Sequence, residues 1–389
     1  MSIKKTALQL TAGAMRNAER LLRGTRHDGA PRSVLVLEYM LPLGCCVHLT
    51  PLYEAIKLID PGIVLTVATR GLGAVLLRHH RFIDHMIETP DPLTDIRAAA
   101  AGLRSELRRK GLRPDCALTG ASDQRTRIAL LALLACPGWR GGYTLAPELY
   151  HCPLEYQAGL SLIDNNLRIA LLVGGSGEHL EPRVFFSQAD VAAMDVLAQQ
   201  ANPDGRPLVV MVSQNSGGQR TGWHNGRFAQ VIRHAHDALG CAVVYVGTSG
   251  DAAAVEQIRV EAGGIGTSLA GKTSVTELAA LLAMSDAAVS LDTGTMHIGR
   301  AVGVPMVVIG PSWQRPLEWL PLGLPQVRIL RGEDRLDVPE NYRLDEVDVS
   351  AVTEALDDLF KAYPPDPGRR AERIAASVSE VDHRRRSGA

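Results

Sequence analysis

The residues best placed to do chemistry form one run, Val289-Ser290-Leu291-Asp292-Thr293-Gly294-Thr295-Met296-His297. An apolar strand-like stretch ends in Asp-Thr-Gly and then enters a helix. The first turn of a helix has unspent backbone N–H groups and the positive end of the helix dipole. A pyrophosphate placed there is bound by the backbone itself. Gly294 lets the chain come close, Thr293 adds a hydroxyl, and His297 sits about one turn further in. The same residues have a plainer use, in which Asp292 or Thr293 caps the helix and His297 packs.

Two more loops share this strand-to-helix position. Ser213-Gln214-Asn215-Ser216-Gly217-Gly218-Gln219-Arg220 follows an apolar run and offers hydroxyls, glycines and a guanidinium. Ser216, Gly217 and Arg220 suit a phosphate, with Arg220 in fork geometry. The loop is no Walker A motif and lacks the dinucleotide fingerprint. Val246-Gly247-Thr248-Ser249-Gly250-Asp251 ends in an acid that either accepts ribose hydroxyls or caps a helix. Three such loops on one edge of one sheet point to a site for a nucleoside diphosphate. None of these features calls for a metal ion.

The elements that must position these loops alternate. Short β-branched runs at 33–37, 63–68, 83–88 and 116–119 are separated by helical stretches at 72–77, 97–109 and 125–134. Thr50-Pro51 is read as opening a helix through Ile59, because proline suits the first helical position. A second set has strands at 208–212, 242–246, 287–291 and 306–309. Helices lie between them at 227–239, 252–261, 275–284 and 295–301. Thr273-Ser274 followed by Glu277 marks a capping box. Strand–helix alternation implies parallel sheets covered on both faces. The expected architecture is α/β, with two Rossmann-like doubly wound domains facing across a cleft. Expected boundaries are a basic extension at 1–30, one domain at 31–180, a second at 181–350, and a helix with a charged tail at 351–389.

A chain of 389 residues suits two such domains at roughly 150 residues each. A net charge of -1 leaves no field for nucleic acid, so anion binding must be local. The six cysteines form no C-x-x-C pair and read as buried thiols of a reducing compartment. No apolar run reaches the ~18–20 residues that cross a bilayer. Residues 4–23 form a basic amphipathic stretch suited to an anionic membrane surface or to docking on protein. The expected location is cytoplasmic, with peripheral contact to the inner membrane as a further expectation.

Several motifs recur in one order. They are Trp223 with Arg227-Phe228-Ala229, then Leu269-Ala270-Gly271-Lys272-Thr273-Ser274, then Asp292-Thr293-Gly294-Thr295-Met296-His297. Gly303-Val304-Pro305 and Gly310-Pro311-Ser312 follow. Together with Leu43-Gly44 and Thr50-Pro51-Leu52, this order resembles glycosyltransferase family 9, the heptosyltransferases of lipopolysaccharide core assembly. The resemblance covers about residues 33–330. It implies a GT-B fold and metal-independent, inverting transfer from an ADP-sugar, with the donor as co-substrate and no other cofactor. Carried over by position, Ser216 and Arg220 approach the phosphates and Asp251 the ribose. Asp292, Thr293, Gly294 and His297 hold the diphosphate and sugar.

The family's opening loop reads Leu-Gly-Asp, and that aspartate is taken as the general base. Here the loop reads Leu43-Gly44-Cys45, preceded by Leu41 and Pro42. A thiol is softer than a carboxylate and mostly protonated near neutrality. An inverting transfer still needs a proton acceptor. Glu38, His48 and Cys45 are the candidates, and each has a structural role open to it. Three functions follow: an active transferase with a relocated base and altered acceptor (lipid-linked sugar or small metabolite), a partner protein that binds a nucleotide sugar without turnover, and a nucleotide-sugar epimerase.

Overall fold

The computed structural model of the chain describes residues 31–40, 42–136, 138–215 and 221–384. The basic stretch at 4–23, Leu41, and Ser216, Gly217 and Arg220 lie outside the described residues. The chain divides into two compact units, Met1–Pro182 with Asp382–Ala389, and Arg183–Val381.

The sheet of the first unit consists of β1 (Ser33–Leu37), β2 (Val64–Thr69), β3 (His85–Glu88), β4 (Cys116–Thr119), β5 (Trp139–Tyr143) and β6 (Cys152–Leu154). Its order is β3-β2-β1-β4-β5-β6, every pair parallel. Helices α1 (Leu43–Ile59), α2 (Gly71–Leu76), α3 (Ile96–Arg109), α4 (Thr126–Ala135) and α5 (Leu162–Leu167) make the crossovers and cover. β1 and β4 are buried almost throughout, as strands covered on both faces must be.

The second unit repeats the plan. Its strands are β7 (Leu208–Val212), β8 (Ala242–Tyr245), β9 (Thr267–Ser268), β10 (Ala287–Leu291), β11 (Met306–Ile309) and β12 (Val327–Leu330), ordered β12-β11-β10-β7-β8-β9. Its helices are α6 (Gln188–Ala201), α7 (Asn225–Asp237), α8 (Ala252–Glu261), α9 (Val275–Met284), α10 (Gly294–Val302), α11 (Pro316–Trp319), α12 (Val349–Ala362) and α13 (Pro367–Ser377). Counted from each unit's first strand, the two orders are the same. In each, the chain starts mid-sheet, winds one way, then reverses. The reversal falls between β1 and β4 in one unit and between β7 and β10 in the other. Doubly wound sheets bind ligands beyond the carboxyl ends of the strands at that point.

Local signals explain many boundaries. α9 starts on the capping box read from sequence, Ser274 accepting from the Glu277 amide while Glu277 accepts from the Ser274 amide. α10 ends at Gly303, whose φ of 74° is the left-handed close that glycine allows.

Three regions differ from the sequence reading. α1 begins at Leu43, so Pro51 lies inside the helix instead of opening it. Proline has no N–H for the Val47 carbonyl, four residues back. The Thr50 hydroxyl donates to that carbonyl instead, at 2.8 Å. Second, the glycines of Trp139-Arg140-Gly141-Gly142-Tyr143 hide a strand. A side chain at Gly142 would meet the Thr119 carbonyl oxygen at 2.3 Å, so β5 reaches β4 only because none is there. Third, where one helix and a charged tail were expected from 351 there are two helices, α12, which starts at Val349, and α13. Arg370 on α13 binds both oxygens of buried Asp286 at 2.8 and 2.7 Å, and Asp286 also accepts from the Leu208 amide. The division of the chain falls at Pro182–Arg183, two residues past the boundary expected at 180.

Candidate functional site

At the reversal of the second unit, β10 carries Asp292 and Thr293 off its carboxyl end into α10. The register sets Ser290 beside Val212, so the loops after β10 and β7 leave the sheet side by side. Thr293 is the N-cap of α10, but its side chain makes no capping hydrogen bond. Its hydroxyl oxygen is buried without a hydrogen-bond partner. The first turn of α10 contains no acid, so its positive end is not neutralised from within that turn. A buried, unspent hydroxyl costs free energy unless something comes to meet it.

Asp292 is 6% exposed and His297 4%. Burial raises the Asp292 carboxyl to about 6. Burial, and then the charge of Arg300, lowers His297 to about 3. The imidazole is therefore neutral near pH 7. The 3.8 Å separation of His297 Nε2 and Asp292 Oδ1 is a contact of a neutral ring with a carboxylate, not an ion pair. The His297 ring also meets Trp319 edge-on, with centroids 6.4 Å apart.

Off β7, Ser213, Gln214 and Asn215 line a depression of about 830 Å³ with Trp223, Tyr342 and Arg343. Its far wall belongs to the loop after β12. That loop is held by Arg331, which donates to the carbonyls of Pro311, Ser312 and Gln314. The Ser312 and Tyr342 hydroxyls are 2.8 Å apart, and Trp223 Nε1 donates to the Val347 carbonyl at 3.0 Å. Of these motif residues, Trp223 thus holds backbone in place and Ser312 holds the Tyr342 side chain. Asp251 is used in the turn after β8. Its Oδ2 accepts from the Thr248 amide and hydroxyl at 2.7 and 2.8 Å, the capping use of that acid.

In the first unit, Glu38 directly follows β1 and is 1% exposed. Its Oε1 accepts from the Met40 amide at 3.1 Å and lies 3.6 Å from the Cys46 thiol. That thiol donates to the Met40 carbonyl at 3.1 Å. Burial, then the negative charge of Asp123, raises the Glu38 carboxyl to about 8. Asp123 lies off β4, beside β1, and both its oxygens are held by Arg125 at 2.6 Å. Cys45 and His48 are buried in the first turns of α1, not in a loop. The thiol next to Glu38 is therefore Cys46, not Cys45. Cys46, Asp123 and Arg125 escaped the sequence reading. The one available signal was that a loop carrying an acid and an arginine follows a strand.

Among the described residues, no group of three or more His, Cys, Asp or Glu side chains could hold a metal ion, and no helix is long and apolar enough to cross a membrane.

Residues 166–332 match the model of glycosyltransferase family 9 (heptosyltransferase). Over that span the chain is similar to heptosyltransferases. Solved structures agree on the fold. A family 9 glycosyl transferase from Veillonella parvula aligns over 85% of this chain and 98% of its own, with TM-score 0.76 and 18% identity. The ADP-heptose lipopolysaccharide heptosyltransferase II of E. coli aligns over 85% and 99%, with TM-score 0.69 and 19% identity. E. coli heptosyltransferase WaaC, solved with ADP-2-deoxy-2-fluoro heptose, aligns over 84% and 99%, with TM-score 0.63 and 16% identity. No curated protein sequence matches. The heptosyltransferase-like chain thus has the GT-B fold its motifs implied, and its motif-rich second half carries the family match.

Proposed function

We propose that this protein transfers a sugar, heptose or a relative, from a nucleoside-diphosphate donor, ADP-linked, to an acceptor hydroxyl or other nucleophile, with inversion and without a metal or further cofactor. The observation that carries the reading is the buried, partnerless Thr293 hydroxyl at the N-terminus of α10, next to Asp292 and at the sheet reversal. In this reading the α10 amides and Thr293 take the diphosphate, whose charge grows as the bond to the sugar breaks. Asp292, its carboxylate available above about pH 6, accepts from sugar hydroxyls. Neutral His297 adds a donor without a second negative charge.

The acceptor loses a proton as its oxygen attacks the anomeric carbon, and Glu38 receives it. This relocates the family's base from the position held by Cys45 to the end of β1. A carboxyl raised to about 8 is a stronger base than an ordinary one, though less of it is ionised at pH 7. Turnover is accordingly expected to rise as pH increases through about 8. One observation favours a second reading, a protein that binds the donor without transferring it: the position of the family's aspartate is held by Cys45, in the first turn of α1.

The experiment is a donor titration by calorimetry, followed by turnover with a panel of nucleotide sugars and sugar acceptors. Transfer that is lost in Glu38→Gln, with donor affinity unchanged, upholds the reading. Tight donor binding with no transfer to any acceptor favours the second. No binding of any nucleotide sugar overturns both.

A further inference from the structure

The first unit holds two carboxylates at its sheet reversal. β1 and β4 are neighbours, with Leu37 beside Thr119, so the residues that follow each strand emerge together. Glu38 comes off one and Asp123 off the other. Asp123 is chelated by Arg125, both N–O distances 2.6 Å. The same Arg125 Nη2 reaches across to the carbonyl of Tyr39, the neighbour of Glu38, at 3.3 Å. One guanidinium therefore ties the loop after β4 to the chain just past β1.

The two carboxylates are treated differently. Arg125 neutralises Asp123 at close range. Glu38 has no cation of its own, only an amide and a thiol. The charge of Asp123 acts on Glu38, and of two such buried acids the one without a counter-ion keeps the proton.

We infer that Asp123, clamped by Arg125, is a positioning residue that holds the proton on Glu38, making the pair a carboxylate dyad at the β1/β4 reversal. The inference rests on the transfer reaction proposed above and assigns the proton step to two acids rather than one. Ionised Asp123 raises the proton affinity of Glu38, so the ionised Glu38 that forms is a better acceptor. When the acceptor oxygen bonds to the sugar carbon, the leaving nucleoside diphosphate takes the bonding pair and Glu38 takes the hydroxyl proton.

Other groups face this pair. Cys46 and Tyr53 come from α1, with the Cys46 thiol pushed up first by burial and then by Glu38. On the far side of Tyr39, Arg70 pairs with Asp91 at 3.0 Å, and Thr89 shares a hydrogen bond with the Tyr39 hydroxyl at 2.8 Å. None of these gives Glu38 a direct counter-ion, and the pull of Arg125 on it is weaker than the push of Asp123.

The test reads the Glu38 carboxyl itself, by infrared spectroscopy of the protonated C=O band against pH, and reads turnover in parallel. The band is assigned by its loss in Glu38→Gln. In Asp123→Asn the midpoint should move to lower pH by about one unit. In Arg125→Gln it should move to higher pH, because the cation is gone and Asp123 acts unopposed. The ascending limb of the pH–rate profile should follow the band in both variants. A merely structural Asp123 would lower the amplitude of activity and leave both midpoints in place. An unmoved band in a folded Asp123→Asn protein, or shifts of the same sign in the two variants, overturns the dyad. If one variant fails to fold, the other decides by the sign of its shift. Opposite shifts of the band in a protein that transfers nothing would uphold the dyad and overturn the reaction.

Discussion

The two sheet reversals are built on the same strand order and filled differently. In the first unit the acids are hydrogen-bonded, while the Ser122 and Tyr53 hydroxyls are buried without a hydrogen-bond partner. Both oxygens of Asp123 go to Arg125, and Glu38 takes the Met40 amide and the Cys46 thiol. In the second unit the groups stay open, with a Thr293 hydroxyl that meets nothing and a helix whose first turn carries no acid. One topology thus carries two arrangements, one with an acid paired to an arginine beside an acid without a cation, the other with an unpaired hydroxyl at a helix start.

Four substitutions test this contrast. The largest effect is expected at Glu38, where Glu38→Gln should cut turnover about a thousandfold while leaving donor affinity intact. Steady-state kinetics beside calorimetry checks it, and a loss of affinity instead would erase the division of labour between the units. Next comes a control far from either reversal. Arg370→Ala strands the buried Asp286 carboxylate at the amino end of β10 and should cost about 3 kcal/mol of stability in urea. Nucleotide affinity of the folded protein should not change. A smaller effect is expected for Asp292→Ala, which should weaken nucleotide-sugar binding about tenfold. Unchanged affinity would remove Asp292 from the site.

The smallest effect is the sharpest. Thr293→Val should weaken nucleotide binding only about fivefold, the worth of one hydrogen bond. Without ligand, however, the protein should be as stable as before or more so, because a buried hydroxyl with no partner has been removed. Thermal melts with and without ADP read both. A variant that melts lower without ligand would show that Thr293 is already satisfied, and the contrast between the two units would fail.

The second unit was largely legible in the sequence, because its signals are local. Asp292-Thr293-Gly294 sits between an apolar run and a helix, and the structure has that strand and helix. The Ser274–Glu277 capping box could also be read from residues three apart. The first unit was harder. Pro51 suggested a helix start because nothing in the local pattern says that Thr50 will take over its missing donor. Cys45 drew attention as the residue in the family's aspartate position, yet it is Cys46 that the helix turns toward Glu38. Asp251 could be read as a ribose acceptor or a cap, and its Thr248 contacts use it as a cap.

By itself the sequence determined the alternation of strands and helices, the doubly wound plan and the Asp292-Thr293-Gly294 loop between β10 and α10. Each of these is written in residues within a few positions of one another, where propensity and capping act. Only the tertiary structure decided that Glu38 and Asp123 follow neighbouring strands and that Arg125 serves one of them. Parallel pairing of β1 with β4 brings distant loops together, and burial then sets which acid keeps its proton. Neither effect has a local signature, because both depend on what the rest of the chain places around the group.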